Sequence, residues 1–480
     1  MKFNWVYLLV GAIFSHLIVS AQTVDVEALK RELSDLRKRT EDLEQKLNAL
    51  QSQAPQSTNV TASSSTASSI LPSGAQKPWS PTDPIRLGSR GNSYLDVAVD
   101  ALVAAGTSTA EDVETLNPGG HDPNQRGFTL QSLETTFTGI VDPYLRGQAN
   151  ILFFIDSEGE SNVELEEAYL ETLSLPANLQ LRAGQFLTEF GRHNPTHPHA
   201  WQFVDAPLVN SRFFGADGLR NPGARLSWLV PTPFYSMLSL AVQNSQGETA
   251  QSFRNSHEDE PYLGRLHSVE RVKSLNDLLF TPRFEISFEP TVTQVLLLGS
   301  SASFGPNASG AHSDTEIYGV DLFWKWKPTK HTKGFPFVSW QTEAMLRQYD
   351  AAEFTEDIDG DGVPDNDLNG DTVADFIPAE QLTDYGFYSQ VAYGFTPGWV
   401  AAVRGDWVAP KDDGAYELIY GPDAERVERW RLSPNITWYP SEFSKIRLQY
   451  NLDDRKGLGM DHSIWLQFEF LLGAHGAHRF

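Results

Sequence analysis

A chain of 480 residues with 62 acidic and 37 basic side chains has a formal charge of -25, which argues against nucleic acid and anionic lipid surfaces as partners. It contains no cysteine, so disulfides, thiolate metal sites and cysteine nucleophiles are excluded together, as suits an exported protein that folds without oxidative help. At the N-terminus, Lys2, the apolar run from Trp5 to Val19 and the small-residue site Val19-Ser20-Ala21 spell a secretory signal peptide over residues 1–21. The run is too short for a retained anchor, and no later stretch approaches the roughly 20 apolar residues of a spanning helix. If this chain enters a membrane, it must do so as strands.

Residues 22–51 carry a heptad seam, with Val26, Leu33, Thr40 and Leu47 at the a positions and Leu29, Leu36, Leu43 and Leu50 at d. The pattern predicts an α-helical coiled coil and therefore self-association; a solitary amphipathic helix is the alternative, although so narrow a seam would bury little on a globular partner. Residues 52–85 turn to Ser, Thr, Ala, Pro and Gln, a composition too poor in large apolar residues to pack, and read as a flexible tether.

Over residues 86–480 one pattern recurs: about ten residues of alternating character, then a break. Candidate strands begin near Tyr94, Phe128, Arg146, Val163, Leu179, Gly223, Tyr235, Thr281, Thr293, Ile317, Phe337, Tyr385, Trp399, Arg426, Lys445 and His462. One set of breaks is short and often carries proline, as at Pro176, Pro231, Pro290, Pro397 and Pro440; the intervening set is longer, including Arg192 to Arg220 and Glu353 to Thr383. Short turns on one side and long surface loops on the other predict an all-β fold, a transmembrane antiparallel barrel of about 16 strands with both termini in the periplasm. A soluble β-sandwich is the alternative, but its loops need not alternate in length.

Period-two sorting divides each strand into lipid and lumen faces. In the last strand Ile464, Leu466, Phe468 and Phe470 suit lipid while Trp465, Gln467 and Glu469 suit a wet lumen, and the stretch Ser463 to Phe480 reads as one strand ending on an aromatic residue. The same sorting aims Arg404, Asp406, Arg429, Arg431, Lys445 and Arg447 inward. Nearly opposite, one strand is acidic, with Glu164, Glu166, Glu167 and Glu171, which share a face only if the strand carries a bulge. A basic wall facing an acidic wall would set a transverse field across a pore and tune its selectivity; structural bridges filling a closed lumen are the alternative.

Within the loop 353–381 two successive runs place oxygen ligands at positions 1, 3, 5 and 9: Asp357, Asp359, Asp361 and Asp365, then Asp367, Asn369, Asp371 and Asp375. Hard oxygen donors at that spacing suit calcium in a structural role, although position 12 lacks the bidentate Glu of an EF-hand. The tandem is similar to the short calcium repeats of thrombospondin type 3 modules. A second constellation, His193, His197 and His199 in the long loop after the fifth strand, could hold zinc, or could belong to a loop folded into the barrel that needs no metal.

The closing Phe468-Glu-Phe-Leu-Leu-Gly473-Ala-His475-Gly-Ala-His478-Arg-Phe480 and the earlier Gly184-Gln-Phe-Leu-Thr-Glu-Phe-Gly-Arg-His-Asn-Pro-Thr-His-Pro-His199 resemble a group of proteobacterial outer-membrane barrel proteins labelled zinc-regulated receptors or porin-like proteins. The Arg182-Ala-Gly-Gln-Phe186 strand is similar to phosphate-selective porins of the O and P type, and a coiled coil joined to a barrel is similar to trimeric channels for small dicarboxylates. These resemblances imply a bacterial outer-membrane channel, a homo-oligomer with a trimer favoured, and a coiled coil in the periplasm; none fixes the solute. The expected function is passive diffusion of small hydrophilic, charged solutes. A zinc-related receptor and a surface adhesin or structural envelope protein are the alternatives, and no constellation of residues points to an enzyme.

Overall fold

Alternation of apolar and polar side chains makes each segment a two-faced strand, and sixteen such strands in sequence can satisfy every backbone group only by closing on themselves. They do so here. The structure, a computed structural model, describes residues 84–473 except 92, 141, 255–261, 266–270 and 355–375. Its strands are β1 (Ile85–Arg90), β2 (Ser93–Ser108), β3 (Gly127–Ile140), β4 (Leu145–Ile155), β5 (Ser161–Thr172), β6 (Leu179–Leu187), β7 (Arg220–Leu229), β8 (Tyr235–Asn244), β9 (Leu278–Thr291), β10 (Gln294–Pro306), β11 (Asp314–Trp326), β12 (Phe337–Ala351), β13 (Glu380–Thr396), β14 (Trp399–Pro410), β15 (Arg429–Ser441), β16 (Ser444–Arg455) and β17 (Gly459–Leu472). From β2 to β17 each strand pairs antiparallel with its neighbour in sequence, and β17 returns to β2 with Ser463 opposite Ser108 and Leu472 opposite Val99. The barrel therefore has the sixteen strands read from the sequence.

One strand was not foreseen. β1 pairs with the start of β2 on the edge that β17 leaves unpaired, Ile85 opposite Val97, so the ladder along β2 continues after β17 ends. Among the described residues β17 runs to Leu472 and is followed by Gly473 at a φ of 91°. His475, His478, Arg479 and Phe480 lie outside the described residues, as do the signal peptide, the heptad segment, nearly all of the tether and both calcium-type runs. The ends of the loop carrying those runs are joined by a two-way bridge, Phe354 N–H to Ile377 O at 2.8 Å and Ile377 N–H to Phe354 O at 3.1 Å.

Side chains divide as the alternation requires. Ile464, Leu466, Phe468 and Phe470 are exposed on the outside of β17, while Trp465 and Gln467 are buried inside. Leu432, Ile436 and Trp438 on β15 and Leu448 and Tyr450 on β16 continue the outward apolar belt. Near the short-turn rim, Trp399 and Trp438 stack at 5.8 Å, part of an aromatic girdle of the kind that marks the edge of the hydrocarbon layer. Among the described residues no helix is long and apolar enough to cross a membrane, and the belt is carried by strands. The short connections, such as Thr396 to Trp399 and Ser441 to Ser444, lie at the end where the chain enters β2.

Candidate functional site: the inward loop and the charged lumen

Sixteen strands enclose more space than inward side chains can fill. A chain segment fills it here. The connection from β6 to β7, residues 188–219, folds into the lumen and crosses it, so of the two readings open for this long connection, a surface loop or a loop folded into the barrel, the second holds. Its entry turn is set by Gly191 at a φ of 61°, where any Cβ would strike the Glu343 carboxylate of β12. That carboxylate accepts hydrogen bonds from the Arg192 and His193 N–H groups at 3.1 and 2.7 Å and from Tyr388 Oη at 2.5 Å. The short helix Leu208–Phe214 then buries Leu208, Val209, Phe213 and Phe214 against Leu279, Ile317, Met345, Tyr388 and Val408 of the wall. Each such side chain removed from water favours the docked loop by about 1.5–3 kcal/mol. The apolar faces of loop and wall explain one another.

The basic wall meets the same loop. Asp205, fully buried, accepts from Arg404 Nη2 at 2.8 Å, Arg431 Nη1 at 2.9 Å, Gln449 Nε2 at 2.9 Å and Asn451 Nδ2 at 2.7 Å. Burial pushes its carboxyl up, but Arg404 and Arg431 outweigh that and hold it below the usual carboxylate range. Arg447 donates to the carbonyls of Phe203 and Trp201 at 2.9 and 2.8 Å, and Lys445 donates to that of His199 at 2.5 Å while ion-paired with Glu469. Asp406 bridges to Arg404 at 2.7 Å, and Asp453 holds both Arg429 at 2.8 Å and Arg431 at 2.5 Å. The inward-aimed bases are thus covered by loop carbonyls and carboxylates.

The acidic wall is built on a bulge. Register shifts between Asn150 and Ile151, with Glu167 opposite Asn150 and Leu165 opposite Ile151, so Glu166 is the extra residue and Glu164, Glu166, Glu167 and Glu171 all serve the inner face. Glu164 pairs with Arg220 at the loop's exit, and Glu171 with Arg146 at 2.7 Å and Arg182 at 2.8 Å. Glu166 and Glu167 receive His197 of the loop. The two walls are therefore bridged by residues 197–205 and do not face each other across open water.

The three loop histidines separate. His197 and His199 stack with ring centroids 5.6 Å apart, whereas the His193 ring lies 4.8 Å from Trp201 and 6.3 Å from Tyr388. Burial, helped by Arg404, pushes His193 down to about 3 and keeps it neutral. Burial also opposes a charge on His197, but Glu166 and Glu134 override it and raise the imidazole well above its ordinary value. Glu134, Asp205, Glu343 and Asp453 were not singled out from the sequence. Glu134 and Asp453 stand at inward positions of polar-faced strands, a usable signal; Asp205 and its role carry none.

On the short-turn side of the loop two cavities of about 370 Å³ remain. One is lined by Arg192, Phe323, Lys325, Phe337, Gln341 and Tyr439 among others, the second by Arg146, Arg182, Arg192, Tyr169, Glu189 and Arg283 among others.

No family model matches the chain. A relative, an uncharacterized protein of Aquifex aeolicus (strain VF5), is 30% identical over 390 residues, covering 75% of this chain and 73% of that protein. Among solved structures the outer membrane channel DcaP of Acinetobacter baumannii matches with a TM-score of 0.51 at 11% identity, covering 80% of this chain and 99% of that one, and this likeness carries the barrel fold. The anion-selective porin from Comamonas acidovorans matches at a TM-score of 0.45 and 9% identity, over 79% of this chain and 100% of that one.

Proposed function

The chain belongs to one family with the Aquifex aeolicus protein, and from its closed barrel we propose that it is an outer-membrane channel for passive diffusion of small hydrophilic solutes. The observation that carries this reading is the polar, cavity-bearing interior of a sixteen-strand barrel whose exterior is an apolar belt. A polar interior with open space beneath an apolar exterior is what a passage or vestibule for hydrophilic solutes requires. The likeness to DcaP, described as an outer membrane channel, agrees. The inward loop is the constriction, and its polar anchors fix the size limit.

The cavity linings favour charged solutes. Arg192 and Lys325 stand beside Phe323 and Phe337, with the Arg192 guanidinium 4.5 Å from the Phe323 ring centre, so an organic anion would meet cations and an apolar surface together. The short turns face the periplasm, and the heptad segment 22–51 assembles the channel, with three copies favoured. Liposome swelling tests the reading. Proteoliposomes should swell in an isosmotic small sugar and in its sugar acid; swelling no faster than in protein-free vesicles would overturn it.

A further inference from the structure

The loop meets the acidic wall at a cluster that diffusion through a channel does not require. Glu134 of β3, Glu166 of β5 and His197 of the loop each present one ligand atom, and these atoms lie within 4.8 Å of one another. All three residues are buried. Nδ1 of His197 is 2.8 Å from Glu166 Oε2 and 3.6 Å from Glu134 Oε2. For bonds of 2.0–2.1 Å, neighbouring donors on a tetrahedral zinc ion stand roughly 3.3 Å apart, a spacing that the 2.8 and 3.6 Å separations bracket, so small side-chain shifts would bring the three donors onto one ion.

The surroundings complete the pattern. Nε2 of His197 points the other way, 3.1 Å from Glu167 Oε2. A ring nitrogen aimed at two carboxylates while the opposite nitrogen donates to a third is the arrangement by which outer carboxylates orient metal-ligating histidines. The bulge at Glu166 is what lets two consecutive glutamates take these two roles. His199, whose Nδ1 lies 3.1 Å from Glu134 Oε2, brings a second imidazole. Asp100, opposite Glu134 in the β2–β3 register and 1% exposed, has no hydrogen-bond partner on either carboxylate oxygen, and it lies within electrostatic range of Glu134 and His197. Four buried carboxylates thus surround two imidazoles. Lys445, also in range of Asp100, is already ion-paired with Glu469.

We propose that Glu134, Glu166 and His197 bind one divalent transition-metal ion, Zn²⁺ by the mixed imidazole and carboxylate donors, with Glu167 orienting the imidazole and the ion pinning the inward loop to the wall. Binding releases the proton from Nδ1 of His197, whose lone pair goes to the metal, while Nε2–H stays on Glu167. The second converging group, His121, Glu164 and Asp217, already has a cation in Arg220 on Glu164. The inference is independent of transport: a barrel that conducts nothing could still hold the ion.

The full chain, stripped with chelator and repurified in detergent, should take up one Zn²⁺ that His197→Asn or Glu166→Gln weakens at least tenfold and His193→Asn leaves unchanged. Glu167→Gln should weaken it 10–100-fold, as loss of an orienting carboxylate does. Equal affinity in wild type and His197→Asn overturns the proposal, because zinc would then sit elsewhere. If the variants fail to fold, Co²⁺ in the wild-type protein decides: visible d–d absorption from nitrogen and oxygen ligation supports the site, and a hexa-aqua-like spectrum overturns it.

Discussion

Replacing Asp205 with alanine removes the acceptor for four donors on three strands: Arg404 of β14, Arg431 of β15, and Gln449 and Asn451 of β16. Deleting one partner of a buried ion pair costs about 3–5 kcal/mol. Here the low end applies, because Arg404 keeps Asp406 and Arg431 keeps Asp453. A loss of about 3 kcal/mol lowers the ratio of docked to released loop by about two orders of magnitude, at 1.4 kcal/mol per tenfold. The barrel, held by its closed ladder, should remain intact. Asp205→Ala should therefore raise both single-channel conductance and protease cleavage within residues 188–219, while Asp205→Asn, which keeps one acceptor oxygen, should fall between. Unchanged conductance and unchanged cleavage in a folded, heat-modifiable Asp205→Ala barrel would refute the claim that this carboxylate latches the loop.

Acid should loosen the loop region through His121, which burial and then Arg220 push down to about 4. Its folded pKa lies below the unfolded value, so the unfolded state binds more protons between those two values and stability falls as pH drops from about 6.5 toward 4; at pH 5 the loss is about 2 kcal/mol. A His121→Gln variant should show a flatter pH profile of thermal stability, and an identical profile would exclude this group as the cause. On the lipid face, Leu466→Arg, at the middle of β17, should destabilise the barrel by about 2–4 kcal/mol, whereas the inward neighbour Gln467→Arg should spare lipid contact and alter conductance. Unfolding in lipid vesicles reads both, and equal penalties would contradict the facial assignment. Calcium titration of the full chain should show saturable binding that Asp361→Asn with Asp371→Asn abolishes; no difference between the chains would remove the calcium reading of loop 353–381.

The sixteen strands were legible because each had to alternate and each break had to be either a tight proline-bearing turn or a long loop. The bulge at Glu166 could be anticipated as well, since four glutamates at 164, 166, 167 and 171 cannot share one face of a regular strand. The inward path of residues 188–219 could be named from the sequence only as one of two alternatives, because period-two patterning says nothing about a connection. A signal did exist on both partners. The loop carries Trp201, Phe203, Val204, Val209, Phe213 and Phe214, more apolar surface than a solvated loop needs, and the wall places Ile317, Met345 and Val408 on inner positions that should be polar. The histidines could not be sorted for a similar reason: closeness in sequence groups His193 with His197 and His199, whereas the turn at Gly191 and the Glu343 anchor carry it to Trp201 and Tyr388.

Single-channel recording of the purified protein in a planar bilayer tests the central claim most directly. The account predicts discrete, small conductance steps in the wild type that enlarge in Asp205→Ala, as the inward loop leaves the lumen. A correctly folded barrel that inserts yet gives no steps in either form would contradict it.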